Sequence, residues 1–152
     1  QTPRVHALVA GECYEDWAFY QQIIDRHGLA DRLHLHMDFI PADQVRVFFS
    51  AADLVVQPYR TATQSGISQI AYHFEQPMVV TRVGGLPEIV TDGVSGYVVD
   101  AEPQAIAHAI TDFFDHQRDI TFQEGIRQEK QRFTWEYLSS QLLEGGIEET
   151  RI

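Results

Sequence analysis

Short β-branched runs alternate with helical patterns along the chain, and this alternation limits the possible folds more than any other feature of the sequence. Parallel strands need a crossover of about a dozen residues or more, which a helix usually provides. The strand candidates are residues 5–10, 33–39, 54–57, 78–81 and 96–99. Three of them are nearly continuous apolar runs, as strands buried on both faces are. The pattern predicts an α/β domain with a parallel sheet of about five strands.

Between these strands, apolar residues recur three or four positions apart, which predicts four helices. In chain order, their apolar stripes contain Trp17, Tyr20, Ile23 and Ile24, then Val45, Phe48, Phe49 and Ala52, then Ile67, Ile70, Ala71 and Phe74, and then Ile106, Ala109, Ile110 and Phe113. The pattern over residues 123–144 predicts one further helix or two. The anchors of this tail are Phe133, Trp135 and Leu138. Because no linker or low-complexity tract intervenes, we expect one domain over residues 1–152.

The composition argues against several classes of protein. Apolar residues make up 44% of the 152 residues and charged residues 22%, which favours a folded core over disorder. A formal charge of −11 argues against a nucleic-acid partner, because the phosphate backbone would be repelled. Cys13 is the only cysteine, so an internal disulfide is excluded. With no long apolar run and no signal-peptide pattern, the expected location is cytoplasmic, and membrane association would occur only through another domain.

A small polar loop, residues 61–66, follows the third strand candidate and leads directly into the third helix. A glycine-containing loop at the carboxyl end of a parallel strand presents free N–H groups and a positive dipole end to an anion. Ligands of open α/β sheets bind at such ends. An ordinary N-cap, with the side chain of Ser65 or Thr63 satisfying the helix N–H groups, explains the same residues. The loop alone leaves both interpretations open.

The segments that follow are more specific. Residues 77–90 have the sequence PMVVTRVGGLPEIV, and residues 92–99 have DGVSGYVV. Shorter matching segments are VAGE at 9–12, GLADRL at 28–33, FIP at 39–41 and FTW at 133–135. This ordered set resembles the C-terminal domain of the retaining glycosyltransferases called glycosyl transferases group one, which have the GT-B fold. The resemblance covers nearly the whole chain.

This resemblance implies a Rossmann-like three-layer domain that binds a nucleotide-diphosphate sugar of the UDP, GDP or ADP type. It implies an N-terminal acceptor-binding domain in the same full-length chain. The family's first strand–helix unit, with its glycine–arginine loop and a lysine, would precede residue 1 and is missing here. The family is generally metal-independent and uses the donor's own phosphate to assist attack, so the resemblance implies no metal, no cofactor and no protein nucleophile. The catalytic residues are therefore unknown.

Carried over position by position, the resemblance implies three groups of residues. The donor phosphates would be bound by Thr63, Gln64, Ser65, Gly66 and Ile67. Arg60 is not part of the family pattern: it borders this loop and could approach the diphosphate, and an ordinary surface arginine explains it equally well. The nucleotide would lie against Asp38, Phe39 and Ile40. Gln69, one turn from Ser65, could replace the family's ribose contact, and a solvated helix face explains it at least as well. The loops of the cleft would contain Gly11, Gly84, Gly85 and Glu88. Tight turns explain Gly84 and Gly85 equally well, and interaction with a helix dipole explains Glu88.

Two glutamates of the family, eight positions apart, fall at Ala62 and Ile70. Their loss leaves a second hypothesis, a non-catalytic partner or sensor domain with the same fold. An epimerase built on the same two domains is a third, and it would need no acceptor. Because Ile70 shares a stripe with Ile67 and Phe74, we expect it in the core.

His34 and His36 alternate on one predicted strand, so they share a face and could ligate a metal. No third ligand and no cysteine pair support such a site, and two polar positions near the edge of the sheet are the favoured interpretation.

The strand order of the sheet has two predicted outcomes. The missing strand lies at the centre of the family's order, 3-2-1-4-5-6. The remaining strands would either close up as 2-1-3-4-5 in this chain's own count or leave an apolar edge open. An open edge would permit self-association with another copy.

Overall fold

The computed structural model describes residues 5–63 and 65–130. The strands are β1 (Ala7–Ala10), β2 (Leu33–His36), β3 (Val55–Gln57), β4 (Met78–Thr81) and β5 (Gly96–Val99). The helices are α1 (Trp17–His27), α2 (Ala42–Ala51), α3 (Gly66–His73), α4 (Leu86–Ile89), α5 (Pro103–Asp115) and α6 (Asp119–Lys130). The chain divides into two compact units, residues 1–53 (unit 1) and residues 54–152 (unit 2).

Unit 1 contains a two-stranded parallel sheet in which β1 pairs with β2. The helix between them, α1, has clear signals at both ends. The carboxylate of Asp16 accepts a hydrogen bond from the Ala18 N–H (3.0 Å) at its start. Gly28 ends it in the left-handed conformation, with φ 60°. Among the α1 residues only Ile24 is buried, and β1 has all four of its residues exposed.

Unit 2 contains a three-stranded parallel sheet in the order β3-β4-β5, with β4 in the middle. All four β4 residues are buried, as expected for a central strand of a parallel sheet. The two C-terminal helices bury aromatic residues of the same core: Phe113 of α5 stacks on Phe122 of α6, with ring centroids 6.2 Å apart. Pro103 occupies the first turn of α5, where a missing N–H costs nothing.

One helix of unit 2 packs backbone against backbone. A Cβ atom placed on Gly125 of α6 would lie 2.1 Å from the carbonyl oxygen of Val94. No side chain fits at that distance, so the turn before β5 and helix α6 require glycine at their contact. This approach brings α6 close enough for its side chains to reach the same turn.

The predicted α/β class and the parallel pairing are confirmed, and all five strand candidates form strands. β4 and β5 have the predicted bounds, whereas β1, β2 and β3 are shorter than residues 5–10, 33–39 and 54–57. Among the described residues the strands pair in two sheets, β1-β2 and β3-β4-β5, so hydrogen bonding does not produce the predicted order 2-1-3-4-5. Pairing between strands is non-local, so an apolar pattern identifies a strand without identifying its neighbour.

The apolar stripe predicted for α3 is confirmed at Ala71 and wrong at Ile67 and Ile70. Ser68, Ala71 and Tyr72 are the buried residues of this helix, whereas Ile67 is exposed and Ile70 is half-buried. The buried face is therefore rotated away from the isoleucines toward a face that uses two hydroxyl groups. Helical spacing alone does not show which of two neighbouring faces turns inward when both contain apolar residues.

The predicted tail helix is present in part. Helix α6 covers Asp119–Lys130, so it begins four positions before the predicted start at residue 123. The anchors Phe133, Trp135 and Leu138 lie outside the described residues. In the described part of the chain, no helix combines the length and the apolar character that crossing a membrane requires.

Ion pairs connect α6 to the segment that follows α3. Glu75 accepts hydrogen bonds from Arg127 Nε (2.7 Å) and Lys130 Nζ (3.2 Å). The hydrogen bond from Arg127 is the main cause that lowers the pKa of Glu75, Lys130 adds to it, and burial opposes both. A lowered pKa in the folded state means that the unfolded state binds more protons at acidic pH. The ion pairs therefore stabilise the fold above the unfolded pKa of about 4.3, and this contribution is lost as the pH falls below it.

We expect Glu75→Gln to lower the free energy of unfolding at pH 7 by about 0.2–1 kcal/mol, the usual range for partly exposed pairs. Urea denaturation of both proteins between pH 7 and pH 3 measures the effect, and the difference should shrink as the pH falls. Glu124→Gln, an exposed change on α6 outside these ion pairs, is the control. A difference that stays constant down to pH 3 would contradict this assignment.

Candidate functional site

The carboxyl ends of β3 and β4 bring two loops of unit 2 together. Neighbouring parallel strands end at the same edge of a sheet, so the loop after β3 (residues 58–65, described except at position 64) lies next to the loop after β4 (residues 82–85). The hydroxyl of Thr81 donates to the carbonyl oxygen of Tyr59 (2.6 Å). The Gly85 N–H donates to the carbonyl oxygen of Thr63 (2.8 Å). These two hydrogen bonds hold the backbone of the first loop against the second.

Gly84 makes the closest contact between the two loops. It has a φ of +52°, and a Cβ atom there would lie 1.7 Å from the carbonyl oxygen of Ala62. Both the left-handed backbone and the lack of space demand glycine. The tight turn predicted for Gly84 is therefore present, and it leaves room for the backbone of Ala62 and Thr63.

Helix α3 begins directly after this loop, with Ser65 as its N-cap. No side chain caps the helix, so the ordinary cap by Ser65 or Thr63 is not what the structure contains. The N–H groups of Gly66 and Ile67 donate no hydrogen bond to any described residue. Ser65 is only 7% exposed, and its hydroxyl makes no hydrogen bond with the described residues. The N–H groups of Gly66 and Ile67 and the hydroxyl of Ser65 therefore have no partner among the described residues.

The first turn of α3 also has space in front of it. Apart from its chain neighbours, no heavy atom of the described residues would lie within 4 Å of a Cβ atom placed on Gly66. The side chain of Ile67 is 40% exposed, and Gln69 is exposed one turn into the helix. Gln64 lies outside the described residues. Free N–H groups at a helix start with open space before them form an arrangement that can bind an anion.

The two arginines of these loops, Arg60 and Arg82, differ in the hydrogen bonds and ion pairs that they form. Arg60 is exposed and forms no ion pair within the described part of the chain. Arg82, by contrast, donates to the carbonyl oxygen of Val98 (2.9 Å) and lies 3.7 Å from the carboxylate of Asp100. Of these two arginines, only Arg60 forms no ion pair in the described part of the chain.

Behind the loop lies a buried polar pair that the sequence analysis did not identify. Gln57, the last residue of β3, donates from Nε2 to the hydroxyl of Ser68 (3.0 Å), which in turn donates to Gln57 Oε1 (3.2 Å). Both side chains are buried. The available signal was the polar residue that ends the otherwise apolar run 54–57, but nothing in the sequence connects it with a serine eleven positions later.

The remaining predicted loop residues are in three places. Glu88 is exposed in the first turn of α4, which begins after Gly85. Gly11 belongs to unit 1, has a φ of 132°, and donates its N–H to the carbonyl oxygen of His36 (2.9 Å). This bond joins the first residue after β1 to the last residue of β2. The residues predicted to contact the nucleotide follow β2 in the same unit: Asp38 and Phe39 are exposed, and Ile40 is half-buried.

The histidines of unit 1 are exposed, and two of them pair. His34 Nε2 lies 3.2 Å from His6 Nδ1, and the two rings stack. His36 packs edge-on against Phe48 of α2, with ring centroids 5.1 Å apart. Within residues 5–63 and 65–130, no group of three potential metal-binding side chains is assembled.

Comparison with known proteins gives a consistent result. The sequence model of the family described as glycosyl transferases group 1 matches residues 1–116. A D-inositol 3-phosphate glycosyltransferase from Corynebacterium urealyticum is 33% identical over 106 residues, which are 68% of this chain and 25% of that protein. The chain therefore spans about a quarter of the length of that relative.

Two solved structures share the fold. HepE from Anabaena, in complex with UDP, superposes with a TM-score of 0.74 at 25% identity, over 94% of this chain and 41% of that chain. The C-terminal domain of a glycosyl transferase group 1 family protein from Francisella tularensis gives a TM-score of 0.70 at 20% identity, over 86% of this chain and 70% of that chain. The chain belongs to the glycosyl transferases group 1 family, and its fold is that of the C-terminal domain of a GT-B protein.

Proposed function

We propose that this chain is the donor-binding domain of a retaining glycosyltransferase, which moves a sugar from a nucleotide-diphosphate sugar to an acceptor. The observation that carries the proposal is the uncapped first turn of α3 at the carboxyl edge of β3 and β4. Two negative phosphates match two free N–H groups and a positive helix end. Solved complexes of HepE with UDP and with UDP-glucose support a donor of this type.

The proposed phosphate site consists of Thr63, Gln64, Ser65, Gly66 and Ile67, with Arg60 as its cation. The backbone N–H groups would bind the diphosphate, and the guanidinium of Arg60 would approach it from the loop. Backbone donors are useful here because the chain carries a formal charge of −11, which repels anions at longer range. A local arrangement of fixed dipoles can outweigh that field at contact distance.

The nucleotide and the sugar would contact further residues. We assign the base to the segment Asp38, Phe39 and Ile40, where the exposed ring of Phe39 offers a face for stacking. Gln69, exposed on α3, would face the ribose. Gly11, Gly84, Gly85 and Glu88 would form the loops of the cleft.

The chemical contribution of this domain would be electrostatic. When the bond between the sugar and the phosphate breaks, negative charge develops on the departing diphosphate. Donors that already point at that position stabilise the charge without reorganising. With the donor's own phosphate assisting attack on the same face, retention requires no nucleophile from the protein. The acceptor would be bound by an N-terminal domain, in agreement with relatives about four times as long as the matched segment.

Calorimetry on the complete protein with UDP-, GDP- and ADP-sugars tests the proposal. We expect binding of one nucleotide type, with UDP as the first probe because HepE binds it. If none of the three donors binds, the proposal fails. The loss of the family's glutamates at Ala62 and Ile70 would then favour a non-catalytic partner or sensor domain.

Gly66→Val should weaken donor binding by at least about tenfold, because the new side chain would occupy the space in front of the free N–H groups. The melting temperature should change little, since a Cβ atom at this position meets no neighbour within 4 Å. Calorimetry gives the affinity, and thermal denaturation gives the stability. Unchanged donor affinity would remove α3 from the binding site.

Ser65→Ala should have a smaller effect than Gly66→Val on donor affinity, because it leaves the backbone N–H groups in place. It should also cost less than the roughly 1 kcal/mol typical of a lost N-cap, because the Ser65 hydroxyl caps nothing. The same two measurements check both statements. An equal loss of affinity in the two variants would indicate that the hydroxyl, rather than the amides, binds the phosphate.

A further inference from the structure

Helix α3 is held on its buried face by polar contacts at two places. Near its start, Ser68 exchanges hydrogen bonds with Gln57 of β3. Near its end, the hydroxyl of Tyr72 lies 2.7 Å from the carbonyl oxygen of Ile89, 2.9 Å from Ser95 Oγ and 3.0 Å from the carboxylate of Glu129. Between them, Ala71 is the apolar contact and is fully buried.

The pair near the start is unusual for its surroundings. Gln57 is 2% exposed and Ser68 is fully buried, and Met78, a fully buried residue of β4, lies beside the Gln57 amide with its sulfur 3.7 Å from Nε2. A leucine–alanine pair would fill such a position without the desolvation cost of a buried amide. Apolar contacts are non-directional, however, whereas two reciprocal hydrogen bonds allow one rotation of the helix about its axis.

The position of Ser68 makes this restriction relevant to the proposed phosphate site. Ser68 is the third residue of α3, so it lies on the same turn as Gly66 and Ile67. With a rise of about 1.5 Å per residue, the distance along the axis from Ser68 to Gly66 is only about 3 Å. Gln57, its partner, ends the strand from which the 58–65 loop departs. The pair therefore connects the two segments that border the first turn of α3.

We propose that Gln57 and Ser68 are positioning residues, which set the rotation of α3 so that the N–H groups of Gly66 and Ile67 point toward the donor phosphates. The inference rests on the proposed function of the α3 first turn. Neither side chain needs to touch the donor. Tyr72 holds the same helix from the other end, one turn further from the site, and so serves as a matched control.

The test compares Gln57→Leu and Ser68→Ala with Tyr72→Phe in the complete protein. Each change removes buried hydrogen bonds from the same face of α3, so all three should lower the melting temperature. Only the first two should weaken UDP binding, by roughly tenfold, because only they loosen the first turn. Ser68→Ala removes a single oxygen atom and provides the readout if Gln57→Leu does not fold.

The double variant Gln57→Leu/Ser68→Ala gives a readout that a purely structural role would not produce. If the pair acts as one unit on the site, the double variant should bind UDP about as weakly as either single variant. Equal UDP affinities for Ser68→Ala and Tyr72→Phe would overturn the inference. If the unmodified protein fails to bind UDP, GDP and ADP donors, the proposed function itself fails. Loss of affinity in Gly66→Val but not in Ser68→Ala refutes only the positioning role.

Discussion

The parallel pairing of β3, β4 and β5 is the constraint on which the rest of unit 2 depends. β4 lies between two strands, so its backbone is hydrogen-bonded on both sides. All four of its side chains are buried. Because the strands run in one direction, the loops after β3 and β4 leave the same edge. The contacts of Thr81 with Tyr59 and of Gly85 with Thr63 follow from that placement. The start of α3 is directed by the same loop, so the geometry of the candidate site derives from the register of three short strands.

The polar interior of unit 2 explains why the start of α3 remains free. The helix is held from its buried face by Ser68 and Tyr72, and it does not rely on a capping side chain. The network at Tyr72 also contains Thr91, Ser95 and Glu129, so it joins α3 to the turn before β5 and to α6. Buried hydroxyl groups that are hydrogen-bonded avoid the cost of desolvation and add direction to the packing. Stability is thus supplied behind the helix, while the donors at its front remain available for an anion.

Sequence reasoning predicted much of the fold and less of the site. Apolar runs and turn residues located the strands, and helical spacing located the helices, because these signals are local. The buried face of α3 was predicted only in part: Ala71 is buried as expected, whereas Ser68 and Tyr72 take the places expected for Ile67 and Ile70. The position of the loop allowed either free N–H groups or an ordinary N-cap at the start of α3, and the structure contains the uncapped start. Gln57 was not, since a buried glutamine is recognisable only when its partner is known.

The sequence by itself determined the order of the elements and the parallel class of the sheet. Those properties depend on residues close together in the chain, such as the Asp16 cap and the Gly28 end of α1. Tertiary structure decided why Gly84 is needed, since the carbonyl oxygen of Ala62 occupies the space of its missing Cβ atom. It also decided that the strands form two sheets and that Gln57 meets Ser68. These outcomes depend on contacts between distant segments, and local patterns do not specify such contacts because many alternative pairings satisfy the same hydrophobic periodicity.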